Sequence, residues 1–236
     1  ILKASKALQE WIDAADHLRS DDCEVTSRNP QISKATAPKP YVFNHEDGID
    51  VLELHDFDGK GHLFLNIVCQ GTNFQIVWHL GQMDGVPSSR LCAQAFLLAW
   101  VSWAGWPKFI VTDRGLHNRG AFSRMLGAHG ISIRNIASES PEQLGRTERH
   151  GDMWKATAKR VIHAQKVRGA DDMTLVALAN NPQMNDGTRR GGSAPSQWVL
   201  GKFPRNPGNI HDEYEFADLG VISEQIEPQA AFQKIV

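Results

Sequence analysis

The chain predicts an α/β fold, a mixed five-stranded sheet flanked by helices, and three observations carry that prediction. Three short alternating or apolar runs crowd between residues 48 and 80, separated by glycine-bearing turns. Two more apolar runs, at about 108–112 and 131–136, alternate with segments of helical periodicity. Two further helical segments follow, so the order reads β-β-β-α-β-α-β-α-α.

The elements are justified in order. Residues 1–18 place Leu8, Trp11, Ile12 and Ala15 at helical spacing, and residues 19–40, with Asn29-Pro30 and Ala37-Pro38-Lys39-Pro40, read as a linker. Strands are expected over about 48–55, 62–69 and 73–80, with turns at Asp58-Gly59-Lys60-Gly61 and Gln70-Gly71. Pro87-Ser88-Ser89 opens a helix that is apolar on nearly every face. Its Trp100, Trp103 and Trp106 recur every three residues, which fits core packing better than a partner surface. A strand at 108–112, a helix at 119–129 and a strand at 131–136 follow. Then come a loop at 137–145, a basic helix at 146–168 and a helix near 171–181.

Composition bounds the function. With 236 residues and 41% apolar content the chain can bury one ordinary core with extensions. No run reaches membrane-spanning length and no leader pattern is visible. Three cysteines, Cys23, Cys69 and Cys92, read as reduced thiols of an intracellular protein. The net charge of −2 argues against a surface that grips nucleic acid everywhere. The charge is unevenly spread, however. Leu144–Arg168 holds seven Lys/Arg against two acids, whereas His211–Gln229 holds six acids and no Lys/Arg. A basic helix of this kind is either a solvated face or a phosphate-neutralising one.

Three carboxylates stand in suggestive contexts: Asp50 in GIDVLEL, Asp113 in FIVTDRGLHN and Glu148 in SPEQLGRTERHGDMWK. Asp113 ends a buried-strand pattern, where an acid is costly unless ligated or hydrogen-bonded. Three converging acids suit divalent cations that take hard oxygen ligands, and such ions can activate water and stabilise the leaving oxygen of a phosphodiester.

In this order and spacing the motifs resemble the catalytic core of retroviral and LTR-retrotransposon integrases, a D,D-35-E family with a ribonuclease-H-like fold. The resemblance runs from about residue 41 to about 205. It rests on strand-borne Asp50, the hairpin LNIVCQGTNFQIVWHL, Trp106-Pro107 leading into Thr112-Asp113, and Pro141 to Glu148. It ends in the box GGSAPSQWVLGKFPRNPG. Departures are Arg114 after Asp113, Cys69 where relatives often carry Asp, and the order Gly192-Ser193-Ala194-Pro195. The family's upstream zinc module is not expected here, because Cys23 lacks a Cys-x-x-Cys partner and His17 is the sole nearby histidine.

The resemblance implies a catalytic and metal-binding set of Asp50, Asp113 and Glu148, with Mg²⁺ (or Mn²⁺) as cofactor. It implies a polynucleotidyl transferase/endonuclease that trims the 3′ ends of element DNA and then transfers the strand. Gln143, Arg146, Lys155 and Lys159 are the expected DNA-binding residues. Asp152 stands where some relatives have a second lysine, and His117 and His150 read as surface or hydrogen-bonding histidines rather than ligands. Double-stranded DNA (element ends and target) and further copies of the chain are the implied partners, no membrane is involved, and the nucleus is the implied location. The division implied is 1–40 as a zinc-region remnant with linker, 41–205 as the core and 206–236 as an acidic extension. The alternative is a catalytically silent or co-opted nucleic-acid-binding relic of a retroelement. A ribonuclease-H-type nuclease fits the acid spacing less well.

Overall fold

The computed structural model describes residues 10, 42–112, 115, 120–135, 141–187 and 193–201, with backbone alone at 135 and 141–144. The expected linker, Cys23, His17, Asp113, His117 and the acidic 206–236 segment lie outside the described residues, as does the expected first helix apart from Glu10.

A meander of three antiparallel strands starts the sheet: β1 (Glu46–His55), β2 (Gly61–Cys69) and β3 (Gln75–Gln82). Local chemistry makes both turns. After β1 the Asp56 carboxylate accepts the amides of Asp58 at 3.0 Å and Lys60 at 2.9 Å, while Gly59 takes a φ of 81°. After β2, Asn73 adopts a φ of 62° and its amide donates to the Cys69 carbonyl at 2.9 Å. The strands lie within two residues of their expected limits.

Helix α1 (Ser89–Phe96) is capped by the Ser88 hydroxyl, which accepts from the Leu91 amide at 3.2 Å. It runs on through a π-helical turn (Leu97–Val101) and a last turn (Ser102–Ala104), ending at Gly105 with a φ of 78°. The wide turn falls where the Trp100 ring enters the core. Strand β4 (Phe109–Thr112), helix α2 (Ala121–Ala128) and strand β5 (Ser132–Asn135) form a parallel crossover unit. The sheet order is β3-β2-β1-β4-β5, with β4 parallel to β1, so the sheet is mixed as expected.

Helices α3 (Pro141–Gln165), α4 (Gly169–Gly187) and α5 (Pro195–Leu200) complete the described residues. Two helices differ from the sequence reading, each for a physical reason. Residues 141–145, expected in a loop, form the first turn of α3, because proline at the first helical position loses no bond it would have made. Helix α4 is longer than 171–181 and contains Pro182, held in place by tertiary contacts described next. The short helix α5 begins at Pro195, the last residue of the Gly-Ser-Ala-Pro box; before it the Gln197 side chain accepts the Ala194 amide at 2.6 Å, and Gly201 closes its end at a φ of 63°.

Two apolar layers cover the sheet. On one face Ile49, Leu65, Ile67, Ile110 and Phe122 pack with Phe96 and Trp100; on the other Leu52, Leu54, Phe64 and Val77 pack with Trp154, Ala158, Met173 and Val176. Central β2 is buried at all nine positions, which is why it reads as a nearly unbroken apolar run. Edge strand β3 is closed by α4 in place of a sixth strand. The Asn181 amide exchanges two hydrogen bonds of 3.0 Å with the backbone of Val77, and Asn185 exchanges bonds of 2.8 and 2.7 Å with Gln75. Trp100 is fully buried, as core packing requires, while Trp103 is half exposed and Trp106 stacks on His129 at 3.9 Å. No described helix is long and apolar enough to cross a membrane.

Candidate active site

Strand alternation decides which way the first acid faces. Gly48, Asp50, Leu52 and Leu54 share one face of β1, and Leu52 and Leu54 lie in the layer under α3 and α4. Asp50 is half-buried, and its Oδ1 accepts the Val51 amide at 2.8 Å.

Two glycines let α3 lie close on that face. A Cβ added at Gly48 would meet the Thr147 side chain, its Cβ 3.1 Å away, and the Gln70 amide at 2.5 Å. One helical turn on, a Cβ at Gly151 would lie 2.9 Å from Leu52. These contacts fall on either side of Asp50 along β1, so the helix crosses the strand where Asp50 sits. Glu148, the residue after Thr147, is carried by that same turn of α3 and is exposed. The structure therefore brings the elements bearing Asp50 and Glu148 together. Strand β4 pairs with β1 as far as Ile49↔Thr112, and Asp113 follows Thr112 in sequence but lies outside the described residues.

The expected DNA-binding residues have different surroundings. Gln143 belongs to the first turn of α3, and its side chain is not described. The Arg146 guanidinium donates to the Gln70 carbonyl, tying the helix start to the end of β2. Lys155 pairs with Asp152 at 3.1 Å, and the lysine is the less exposed partner. Lys159 is exposed on the helix, three positions before the buried Ile162. His150, read as a surface or hydrogen-bonding residue, is buried on the inner face.

Sequence reading missed Asp47. It lies on the opposite face of β1 from Asp50, fully buried and paired in register with Cys69. Among the described residues neither carboxyl oxygen has a hydrogen-bond partner, and the nearby Trp100 indole donates to Asn44 at 2.9 Å. Burial drives the carboxyl up to about 8, the Cys69 thiol and Trp100 pulling partly the other way, so near neutral pH it is largely protonated. The alternation was the available signal: with Asp50 facing one side, Asp47 must face the other with Ile49.

A second polar group sits at the far end of β1. Burial acts to raise the Asp56 carboxyl, but the amides of Gly169, Lys60 and Asp58 and the His62 side chain outweigh it and hold it at about 2. His62 lies 3.5 Å from Asp56 and 3.1 Å from His79, whose other ring nitrogen meets the Thr174 hydroxyl at 2.8 Å. Desolvation, reinforced by His62, lowers His79 to about 4. This chain staples α4 to the sheet.

Among the described residues no cluster of three or more potential metal ligands is present. The donor chemistry of Asp50 and Glu148 is hard carboxylate oxygen without thiolate, which fits Mg²⁺ or Mn²⁺ and not a soft metal.

No protein-family model matches the sequence, and no curated protein matches it. Solved structures do. The HTLV-2 integrase catalytic core domain in complex with magnesium, in its trimeric form, aligns with a TM-score of 0.54 at 16% identity, covering 67% of this chain and 98% of that one. A simian T-cell lymphotropic virus intasome aligns at 0.60 and 16% identity, covering 83% of this chain and 68% of that chain. The catalytic core domain of BIV integrase aligns at 0.52 and 12% identity, covering 67% and 95%. At these identities the likeness is one of fold: the chain has the ribonuclease-H-like fold of retroviral integrase catalytic cores.

Proposed function

We propose that this chain is the catalytic core of a retrotransposon integrase, a polynucleotidyl transferase that processes DNA 3′ ends and joins them to target DNA. The observation that carries the reading is the crossing of α3 over β1, through Gly48 and Gly151, at the position of Asp50. This crossing supports the reading because α3 carries Glu148 and β1 carries Asp50, and Asp113 follows in sequence the end of β4, which pairs in parallel with β1.

In this reading Asp50, Asp113 and Glu148 hold Mg²⁺ or Mn²⁺. When bound, the ions lower the pKa of the attacking oxygen and offset charge at phosphorus. The protein supplies position. Strand β1 carries Asp50 and helix α3, seated on it, carries Glu148, and no side chain serves as a covalent nucleophile. Lys155, Lys159 and the exposed Arg149 would present positive charge along α3 to a DNA backbone, and Gln143 and Arg146, near the start of the same helix, are the further proposed contacts. Double-stranded DNA and further copies of the chain are the proposed partners, and the nucleus is the proposed place of action.

A second reading, a nucleic-acid-binding relic without activity, draws on the Asp152–Lys155 pair, which neutralises a cation the DNA backbone would need. One experiment separates them. The purified chain is incubated with Mn²⁺ and a labelled branched DNA that mimics an integration product. Resealing that disappears in Asp50→Asn, Asp113→Asn and Glu148→Gln supports the enzyme. No resealing by folded protein, with no Mn²⁺ binding, leaves the relic.

A further inference from the structure

Helix α3 is held on the sheet by more than apolar contact. Three carbonyls on its inner face, those of Thr147, His150 and Trp154, each accept a hydrogen bond from a buried side-chain amide of a different element. Asn66 of β2 donates to Thr147 at 3.3 Å, Gln75 of β3 to His150 at 3.2 Å, and Asn180 of α4 to Trp154 at 3.1 Å. The three donors are 0%, 1% and 2% exposed. They are also linked, since the Gln75 amide donates to Asn66 Oδ1 at 2.8 Å. Next to them Gln70, 1% exposed, donates to the Thr147 hydroxyl at 2.8 Å.

Carbonyls inside a helix are ordinarily satisfied by the helix itself, so these amides are not needed to pair them. Burying four side-chain amides in a packed layer is also unfavourable compared with apolar groups, and Gln70 Oε1, Gln75 Oε1 and Asn180 Oδ1 have no partner among the described residues. What the amides supply is direction. Apolar contact tolerates rotation of a helix about its axis, whereas a hydrogen bond to a carbonyl does not. Acceptors spaced three and then four residues apart run along one stripe of α3, so the donors fix both its rotation and its axial position. Rotation matters here: side-chain ends lie about 5–6 Å from a helix axis, so a turn of about 20° moves a carboxylate by about 2 Å. Reacting groups tolerate roughly 0.5 Å.

We infer that Asn66, Gln75 and Asn180, with Gln70 on Thr147, are positioning residues that set the rotation of α3 and thereby aim Glu148 at the Asp50 site. The functional part of this inference rests on the integrase reading. The geometric part stands without it, and the test keeps the two apart.

Spin labels are placed at Arg149→Cys on α3 and Glu53→Cys on β1, both exposed positions, in a chain with Cys23→Ser. Interlabel distances are compared between that chain and the same chain carrying Asn66→Leu and Gln75→Met. Leu54→Ala is the control, because it weakens the same layer without touching an amide. The expected result is a distance distribution shifted or broadened by about 2 Å or more in the amide variant and unchanged in the control. An unchanged distribution in a folded amide variant overturns the inference, whatever the protein does with DNA. If the double variant does not fold, Asn180→Leu alone takes its place under the same criterion.

Mn²⁺ titration supplies the functional half. The amide variant should bind Mn²⁺ at least tenfold more weakly, and Glu148→Gln should cost much less in that background than in the parent. Equal cost in both backgrounds removes the link to Glu148. If the parent binds no Mn²⁺ while the distances shift, the integrase reading fails and the helix-orienting role stands.

Discussion

Replacing Gly48 by alanine is the sharpest test of how α3 is seated. The new methyl would lie 3.1 Å from Thr147 Cβ and 2.5 Å from the Gln70 amide nitrogen, and would run into the Thr147 hydroxyl. Carbon atoms rest at about 3.5–4.0 Å, so the first turns of α3 must lift by roughly 0.5–1 Å, or the Thr147 side chain must rotate out. Either response breaks the 2.8 Å Gln70–Thr147 bond. Overpacking costs about 1–3 kcal/mol, and a buried hydrogen bond adds about 1 kcal/mol. Gly48→Ala should therefore lose about 2–4 kcal/mol in urea unfolding followed by circular dichroism. In the proposed integrase reading, because Glu148 follows Thr147, a shift near 1 Å should also cut strand-transfer reversal about a hundredfold. Adding Thr147→Ala removes the hydroxyl and should restore part of both losses. A Gly48→Ala protein as stable and as active as the parent would show that α3 does not rest on β1 as described.

Further predictions follow from other residues. Asp47 has its folded pKa raised to about 8, so between pH 4 and 8 the folded state binds more protons than the unfolded chain, and its stabilisation is lost as pH rises through 8. His79, lowered to about 4, acts in the opposite sense between pH 4 and 6.5, so the net alkaline decline should emerge from pH 6.5 to 8. At about 1.4 kcal/mol per pH unit it reaches about 2 kcal/mol, and melting of Asp47→Asn against pH should lack it. The Asp56 carboxylate, held at about 2, contributes stability above pH 4 that is lost as pH falls through 2, a loss that an Asp56→Asn titration should not show. Asn185→Leu strands the Gln75 amide and carbonyl and should cost about 1–3 kcal/mol in thermal unfolding. In the proposed integrase reading, Asp152→Asn releases Lys155 and should tighten binding to duplex DNA several-fold at low salt, the gain shrinking as salt rises, measured by fluorescence anisotropy.

Much of this molecule was set by local chemistry that a sequence displays. The alternation of DVLEL, the apolar FIVT run, the Ser88 cap and the two glycine-bearing turns put β1 to β5 and α1 in order, because strand period, capping and positive φ are properties of neighbours in the chain. Asp50 and Glu148 could be proposed as site residues for the same reason, as each stands in a distinctive local string. Other features depend on residues far apart in sequence. Nothing near Gly48 announces that Thr147 rests on it 99 positions later. Nothing near Asn181 and Asn185 shows that they close the edge of β3 in place of a strand, which lets α4 run through Pro182. Asp47 looks like any surface acid until its face of β1 is covered by Trp100 and Cys69, and burial then holds its proton. The chain alone determined which elements form and which acids they carry. Only the packing of α3 and α4 on the sheet decided how the helix bearing Glu148 is turned and which polar groups lie in low dielectric, because both arise where distant segments exclude water from one another.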